Sequence, residues 1–139
     1  MSVVTKKIKL SSQGETDIID ITKKVMECVD VSGLEDGIAV VFISGSTGGL
    51  TTIEYEPGVL ADLKQAFEVV APRQSEYQHN RKWQDNNGFS HVRAALLGPS
   101  LPVPFSRKKL LLGTWQQIVF IDFDNRPRER EIIVQIIGQ

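Results

Sequence analysis

Both histidines of the chain lie in one polar segment with an aspartate between them. His79 and His91 enclose Asp85 in the stretch YQHNRKWQDNNGFSH. Two imidazoles and a carboxylate are a ligand set that zinc, iron, manganese or nickel accepts, with a coordination position left for water. The same residue types are common in solvated loops, and their spacing matches no standard zinc signature. The segment therefore predicts either a site for a divalent metal (zinc or similar) or a polar surface loop.

A glycine-rich segment, SGSTGGLTT, follows an apolar run and could bind an anion. Glycines let backbone N–H groups converge, and hydroxyl side chains add further donors, which together suit phosphate or another oxyanion. The segment lacks the GK[ST] ending of a phosphate-binding P-loop and is no dinucleotide fingerprint. A plain turn is the alternative. The candidate anion-binding residues are Ser46, Thr47, Gly48, Gly49 and Thr51.

Polar side chains on a later apolar run could line the same pocket. Thr114, Gln116 and Asp122 in GTWQQIVFID would share one face of a strand, since strand side chains alternate with period two. Glu54 supplies a further carboxylate near the glycine-rich segment, although charge complementing a helix N-terminus explains it equally well. If HVRAALL is a strand, Arg93 points to the same side as His91 and could contact an anion.

The pattern of apolar residues predicts an α+β fold. Helical spacing of Ile21, Val25, Cys28 and Val29 indicates a helix that Asp20 could cap, with Cys28 as a small core residue. A second helix begins at Pro57 and ends before Pro72. We expect a largely antiparallel sheet or sandwich with two main helices in one domain, residues 1–139, with IAVVFIS buried on both faces. The stretches that read as strands are TKKIKL, TDIIDI, IAVVFIS, HVRAALLG, LPVPF, KLLLGTWQQIVFIDFD and REIIVQIIG.

Composition argues against several classes of function. The net charge is −1, and the basic run Arg126, Arg128 and Arg130 is diluted by the intervening Pro127, Glu129 and Glu131, so no nucleic-acid partner is expected. The chain shows no signal-peptide-like or membrane-spanning apolar run, which predicts a soluble cytoplasmic protein without a membrane partner.

Several motifs together resemble the YjbQ-like family of small proteins, often described as secondary thiamine-phosphate synthases. The resemblance runs in register over residues 38–138. The most specific segments are LLGPSLPVP and LGTWQ. It also rests on the segments STGGLTTIEYEPGVLADL, YQHN with the following aspartate and histidine, LLLGTWQQIVFIDFD and PRERE.

The resemblance implies an α+β fold that assembles as a homotrimer, with a polar pocket near the subunit interface. His79, Asp85 and His91 match the family's histidine-rich loop, whereas Glu54 and Asp122 match acidic residues and become the candidate catalytic groups. Many members have a histidine where this chain has Gly45.

The function that the resemblance implies is the joining of a thiazole phosphate to a pyrimidine diphosphate, giving thiamine phosphate. The residues expected to hold the phosphate groups are those of the glycine-rich segment with Arg93, Thr114 and Gln116. Such a transfer usually uses a divalent ion to neutralise the leaving pyrophosphate. The competing hypothesis is a non-catalytic trimeric protein that binds a metal or a phosphorylated small molecule, which the departure at Gly45 favours.

Overall fold

Two antiparallel sheets and four helices form the protein, whose computed structural model describes residues 1–139. The predicted α+β fold with antiparallel sheets is confirmed, with two short helices added to the two expected. The elements in chain order are β1 (Ser2–Ser12), β2 (Asp17–Asp20), α1 (Thr22–Ser32), β3 (Asp36–Ile43), β4 (Gly48–Ile53), α2 (Pro57–Val70), α3 (Gln78–Trp83), α4 (Gly88–Leu97), β5 (Ser100–Ser106), β6 (Lys109–Leu110), β7 (Gln117–Asp122) and β8 (Arg128–Gly138).

The larger sheet has five strands in the order β1-β8-β3-β5-β6. Its inner face carries Val41 of β3 and Val134 of β8, which pair in register and are fully buried. Its outer face carries Ile38 and Phe42, which are 47% and 39% exposed. The expectation that IAVVFIS is buried on both faces is therefore wrong for a single chain, because nothing in the chain covers the outer side of this sheet.

The smaller sheet has the order β2-β7-β4 and contains the strand that is buried on both faces. In β7, Ile118 and Phe120 belong to the main apolar cluster, while Val119 and Ile121 belong to a second cluster on the opposite side. Cys28 of α1 lies in the main cluster, and burial raises the pKa of its thiol. Its predicted position in the core is confirmed.

The two helices expected from the sequence form close to their predicted limits. Asp20 accepts a hydrogen bond from the backbone N–H of Thr22 at 3.0 Å, which stabilises the first turn of α1. Helix α2 begins at Pro57, and its preceding residue Glu56 accepts hydrogen bonds from the N–H groups of Gly58 and Val59 at 2.8 Å each. None of the four helices is long and apolar enough to cross a membrane.

The segment HVRAALLG is the main error of the sequence reading, because it forms helix α4 instead of a strand. Its short alternation of apolar and polar residues resembled a strand. The buried residues Phe89, Ser90, Arg93 and Ala94 instead follow a helical spacing, and the run is rich in alanine and leucine, which favour helices. The other long predicted strand is interrupted, with β6 ending at Leu110 and β7 beginning only at Gln117.

Candidate functional site

The polar residues of the histidine segment meet the ends of four strands at one end of the sandwich. Strand β3 ends and β4 begins there, β7 ends there, and β8 begins there, as the register pairs Ile43–Ile132 and Gly48–Asp122 require. The first turns of α3 and α4 lie against the same end. Between them is a cavity of about 420 Å³ with a mainly polar lining. We call it the polar cavity.

The structure brings His79, Asp85 and His91 together on one wall of the polar cavity. His79 Nε2 lies 3.1 Å from Asp85 Oδ1 and 3.0 Å from the side-chain oxygen of Asn87. The His79 and His91 rings lie side by side, with centroids 4.5 Å apart. His79 belongs to α3 and His91 to the first turn of α4, so rigid elements position both rings.

The surroundings of His79 determine which ring nitrogen carries a proton. An ionised carboxylate cannot donate a hydrogen bond, so Asp85 accepts from Nε2. Asn87 donates its own amide N–H to Asp124 at 3.3 Å, which turns its oxygen towards His79. Both neighbours of Nε2 are therefore acceptors, and the imidazole is protonated at Nε2.

These hydrogen bonds occupy His79 Nε2. Binding of a metal ion by this nitrogen together with His91 and Asp85 would require Nε2 to release its proton and both hydrogen bonds to break. No set of three or more His, Cys, Asp or Glu side chains in the chain is arranged to hold a metal ion. As the structure arranges them, the side chains on this wall form hydrogen bonds with one another and do not surround a common point as metal ligands would.

A buried ion pair forms the floor of the polar cavity. Arg130 donates from Nε and Nη2 to the two oxygens of Asp122, at 2.7 and 2.8 Å, and Nη2 also donates to Thr47 at 2.7 Å. Burial alone would raise the pKa of the Asp122 carboxyl, but hydrogen bonds from Arg130 and Ser12 outweigh it and hold that pKa below its ordinary value. Asp122 therefore stays ionised and fixes Arg130.

One nitrogen of Arg130 remains available to a ligand. Its Nη1 makes no hydrogen bond within the protein, in contrast to Nε and Nη2. No buried side-chain nitrogen or oxygen in the chain lacks a hydrogen-bond partner, so Nη1 is not sealed inside the fold. A Cβ atom added at Gly45 would lie 3.3 Å from Nη1, which places this nitrogen next to the Gly45 side of the polar cavity.

Two further arginines add positive charge to the same lining. Arg128 pairs with Asp124 at 2.8 Å and keeps about a third of its side chain exposed. Arg126 is exposed and forms no ion pair with another side chain. Asp124 itself is buried and accepts hydrogen bonds from Thr47, Asn87 and Arg128, so its charge is already matched.

The segment between β3 and β4 contributes unused backbone donors. The N–H groups of Gly45, Ser46 and Thr47 donate to no backbone acceptor in the protein. The glycines, however, are not needed for unusual backbone conformations, since φ is positive at none of Gly45, Gly48 and Gly49. An added Cβ would lie 2.6 Å from the Phe120 ring at Gly48 and 2.8 Å from the Leu97 side chain at Gly49. These two glycines are required by core packing.

Arg93 lies away from the polar cavity, contrary to the expectation that it accompanies His91. Two residues along a helix point to nearly opposite sides, whereas two along a strand point to the same side. Arg93 is buried and donates to the Ala71 carbonyl at 2.9 Å, to Thr16 at 2.9 Å and to Glu68 at 2.7 Å. It joins α4 to the end of α2.

Glu54 and the GTWQ segment lie at the far end of the smaller sheet. In the pairing of β4 with β7, Gly48 is opposite Asp122 at one end and Ile53 is opposite Gln117 at the other. Glu54 and Trp115 line a separate open cavity of about 540 Å³ there. Gln116 donates to Thr52 at 3.0 Å, and Thr114 lies in the adjoining turn. Thr51 lies within β4 and does not line the polar cavity. Within one chain, these residues and the histidines do not share a pocket.

The sequence reading missed the arginines and the residues that hold them. Arg128 and Arg130 are two residues apart in β8, and the intervening Glu129 points outward to accept from Ser11 at 2.6 Å. Glu129 and the following Glu131 therefore lie on the other side of the strand and do not dilute the charge of the arginines in the polar cavity. Period-two alternation in RPRERE was the signal that could have identified this basic face.

Known proteins resemble this chain in sequence and structure over nearly its whole length. Residues 6–139 match a family described as UPF0047 protein YjbQ-like. A UPF0047 protein from Methanothermobacter thermautotrophicus is 38% identical over 139 residues, covering 100% of this chain and 95% of its own length. A crystal structure of a YbjQ-like protein of unknown function from Sulfolobus solfataricus superimposes with a TM-score of 0.94 at 30% identity, covering 99% of both chains. An uncharacterised YjbQ/UPF0047 protein from Clostridium acetobutylicum gives 0.87 at 37% identity, covering 95% of this chain and 99% of its own.

Proposed function

The chain belongs to the YjbQ-like UPF0047 family, and from this premise we propose that the polar cavity binds a phosphorylated small molecule. The observation that carries the proposal is the convergence of three arginines, Arg126, Arg128 and Arg130, with two imidazoles and unused backbone N–H groups. Guanidinium groups and backbone amides are the donors that proteins commonly use for phosphate oxygens.

The pairing of charges in the polar cavity leaves one arginine free to contact an anion. The carboxylates of Asp122 and Asp124 are occupied by Arg130 and Arg128, which leaves Arg126 without a counter-ion in the chain. Helix α4 also begins at the cavity wall, and the N-terminus of a helix carries partial positive charge. Asp85 on the histidine wall offsets this charge overall, so a phosphate or diphosphate would bind through direct hydrogen bonds from Arg126 and not because of a net positive charge.

The reaction proposed for this pocket is the transfer of a pyrimidinylmethyl group (the pyrimidine ring with its CH₂) from a diphosphate to the ring nitrogen of a thiazole phosphate. A carbon–nitrogen bond forms to the thiazole ring, the carbon–oxygen bond to the diphosphate breaks, and pyrophosphate leaves with the electron pair. The task of the protein is to bind both phosphorylated partners and stabilise charge on the leaving group. Arg126, Arg130 Nη1 and the backbone N–H groups of Gly45 to Thr47 are the proposed donors for that charge.

A divalent ion enters this proposal with the substrate and not as a resident of the histidine wall. Magnesium is commonly held by one or two carboxylates together with substrate phosphates. Asp85 lines the polar cavity with about half of its side chain exposed, so it is the carboxylate proposed to contact a metal–diphosphate complex.

The protein is also proposed to act as a homotrimer, as the family resemblance implies. The supporting observation is the uncovered apolar face of the larger sheet, where Ile38 lies between Ile137 on β8 and Pro104 on β5. Burial of such a face against further copies of the chain would remove apolar surface from water, which is the main driving force for association.

A second candidate function is binding without catalysis. The observation that favours it is that neither candidate catalytic carboxylate is free in the polar cavity, because Asp122 is fully engaged by Arg130 and Ser12, and Glu54 lies at the far end of the smaller sheet. Gly45 also leaves the cavity without a side chain at the position where the family resemblance implies a histidine.

A single-turnover assay with the thiazole phosphate and the pyrimidine diphosphate separates the two candidates. We expect thiamine phosphate to form at protein concentrations above substrate, and Arg126→Gln to reduce the rate at least tenfold. Arg107→Gln is the matched control, because Arg107 is exposed at the opposite end of β3. Product formation absent in wild type, with both precursors still bound, would support the binding protein over the enzyme.

A further inference from the structure

A smaller, mainly apolar cavity opens beside the polar cavity. It has a volume of about 260 Å³ and shares Gly45, Ser46 and His91 with its neighbour. Ala94, Ala95 and Pro99 line the rest of its walls. We call it the apolar slot. The two spaces therefore adjoin along the three residues that they share.

The slot exists because small side chains lie on one face of α4. Ala94 and Ala95 follow His91 by three and four residues, and residues at this spacing lie on the same side of a helix. The larger neighbours, Val92 and Leu96, do not line the slot and project their side chains towards solvent. Any side chain longer than that of alanine on the His91 face would fill this space.

The floor of the slot is also restricted to a small residue. Gly48 lies there, and a Cβ atom at this position would collide with the buried ring of Phe120 at 2.6 Å. The packing of the core therefore keeps the floor free of a side chain. Apart from His91, no ionisable side chain lines the slot.

We infer that the apolar slot binds a ring-sized apolar portion of the same ligand whose phosphate occupies the polar cavity. This inference rests on the proposed function and narrows it to phosphate esters of small, flat, weakly polar alcohols. An engineered apolar cavity of about 150 Å³ accommodates benzene, so the slot has room for one substituted ring. A sugar phosphate is disfavoured, because hydroxyl groups placed against Ala94, Ala95 and Pro99 would meet no polar side chain of these residues and would lose part of their hydrogen bonding to water.

Calorimetric titration with three phosphate esters tests the inference. Methyl phosphate probes the polar cavity alone, benzyl phosphate adds a ring, and ribose 5-phosphate adds a polar ring. We expect benzyl phosphate to bind wild type about tenfold more tightly than the other two, since burial of part of an aromatic ring is worth that much.

Substitution of Ala95 by leucine tests whether the tighter binding of benzyl phosphate arises in the apolar slot. Ala95 is exposed on α4, and leucine favours helices, so Ala95→Leu should fold; a thermal melt checks this. The variant should bind methyl phosphate as wild type does and lose the tenfold preference for benzyl phosphate. Ala66→Leu, the same change at an exposed position of α2, should keep it.

The outcomes separate the inference from the function on which it rests. Binding of methyl phosphate with no preference for the benzyl ester, or a preference unchanged in Ala95→Leu, would overturn the slot and leave the phosphate site intact. Binding of none of the three esters would overturn the proposed function and the slot together.

Discussion

Individual side chains in the polar cavity divide into those that hold the site and those that face a ligand. Three side chains hold the site by accepting hydrogen bonds: Asp122 accepts from Arg130, Asp124 from Arg128, and Asn87 from His79. Arg126, Arg130 Nη1 and Asp85 keep capacity for a partner from outside the chain. The sequence predicted that His79, Asp85 and His91 belong together, but it could not reveal that their hydrogen bonds place a proton on His79 Nε2.

Asp85 provides a test of how a divalent ion enters the site. We expect magnesium alone to bind wild type weakly and to strengthen the binding of pyrophosphate severalfold, since Asp85 and the phosphates would share the ion. Asp85→Asn should remove this magnesium-dependent gain. Asp62→Asn, which changes an exposed aspartate of α2, should preserve it. Tight stoichiometric binding of a metal in the absence of phosphate would instead favour a resident ion.

Gly48 should be required for stability more than for contact with an anion. A Cβ atom there would lie 2.6 Å from Phe120, so Gly48→Ala should lower the free energy of unfolding by about 1–3 kcal/mol, the usual cost of overpacking a core. Gly113→Ala is the control, since its nearest neighbour would lie at 3.7 Å. Denaturant titration measures both. Equal stability of the two variants would show that the Phe120 ring moves aside easily.

At the scale of elements, most strands and the two longest helices were predictable because their apolar spacing extends over several turns or strand repeats. Strand β4 was not, because its first residues, Gly48 and Gly49, are typical of a loop. Helix α4 was not predicted, because the four residues HVRA alternate between polar and apolar as a strand does. The hydrogen bonds that stabilise the helical form are made to the carbonyl groups of Phe123 and Ala71, which are distant in the sequence. The error mattered for the site. Within helix α4, His91 and Arg93 point to different sides. The arginines that share the polar cavity with His91 lie on β8, about forty residues further along the chain.

The ion pair between Asp122 of β7 and Arg130 of β8 joins the two sheets and should contribute to stability in a pH-dependent way. Removal of one partner from a buried ion pair costs about 3–5 kcal/mol, so Asp122→Asn should be much less stable than wild type at neutral pH. The pKa of Asp122 is lowered in the folded state, so its contribution is present above its ordinary value of 3.8 and is lost as the pH falls through the lower folded value. The gap between variant and wild type should therefore shrink below that pH.

An exposed ion pair serves as the control for this prediction. Glu131 lies 3.4 Å from Lys7, with both side chains largely in solvent. Glu131→Gln should change stability by less than about 1 kcal/mol, as is usual for surface pairs. Urea denaturation from pH 3 to pH 7 provides the comparison. A pH-independent gap for Asp122→Asn would contradict the assigned ionisation of the buried carboxylate.

For the whole molecule, the outer face of the larger sheet is the surface that the proposed trimer would bury. The sequence predicted burial of IAVVFIS on both faces, and a single chain provides only one. We expect light scattering coupled to gel filtration to give the mass of three chains for wild type. Ile38→Glu should dissociate the assembly, because it places a charge among Ile137 and Pro104.

Val69→Glu is the matched change away from this sheet. Val69 is exposed on α2, so the variant should remain a trimer. A wild-type protein that is monomeric at micromolar concentration would contradict the proposed assembly. A trimer that persists in Ile38→Glu would move the interface to another surface.

The polar cavity competes with one other basic region for an anion. A groove between β1 and α1 is lined by Lys6, Lys7, Lys9 and Lys24, none of which is held by a buried carboxylate. Lysines in such a groove attract anions by charge alone, whereas the polar cavity offers fixed guanidinium and backbone donors. Where an added anion lies in the structure therefore distinguishes general attraction from a constructed site.

Crystals soaked in pyrophosphate provide the most direct measurement. We expect density for the anion in the polar cavity, with its oxygens within hydrogen-bond distance of Arg130 Nη1, Arg126 and the backbone N–H groups of Gly45 to Thr47. The same density should be absent from Arg126→Gln crystals and present in Arg107→Gln crystals. Pyrophosphate bound in the lysine groove, with none in the polar cavity of the wild type, would contradict the proposal that this cavity is a phosphate site.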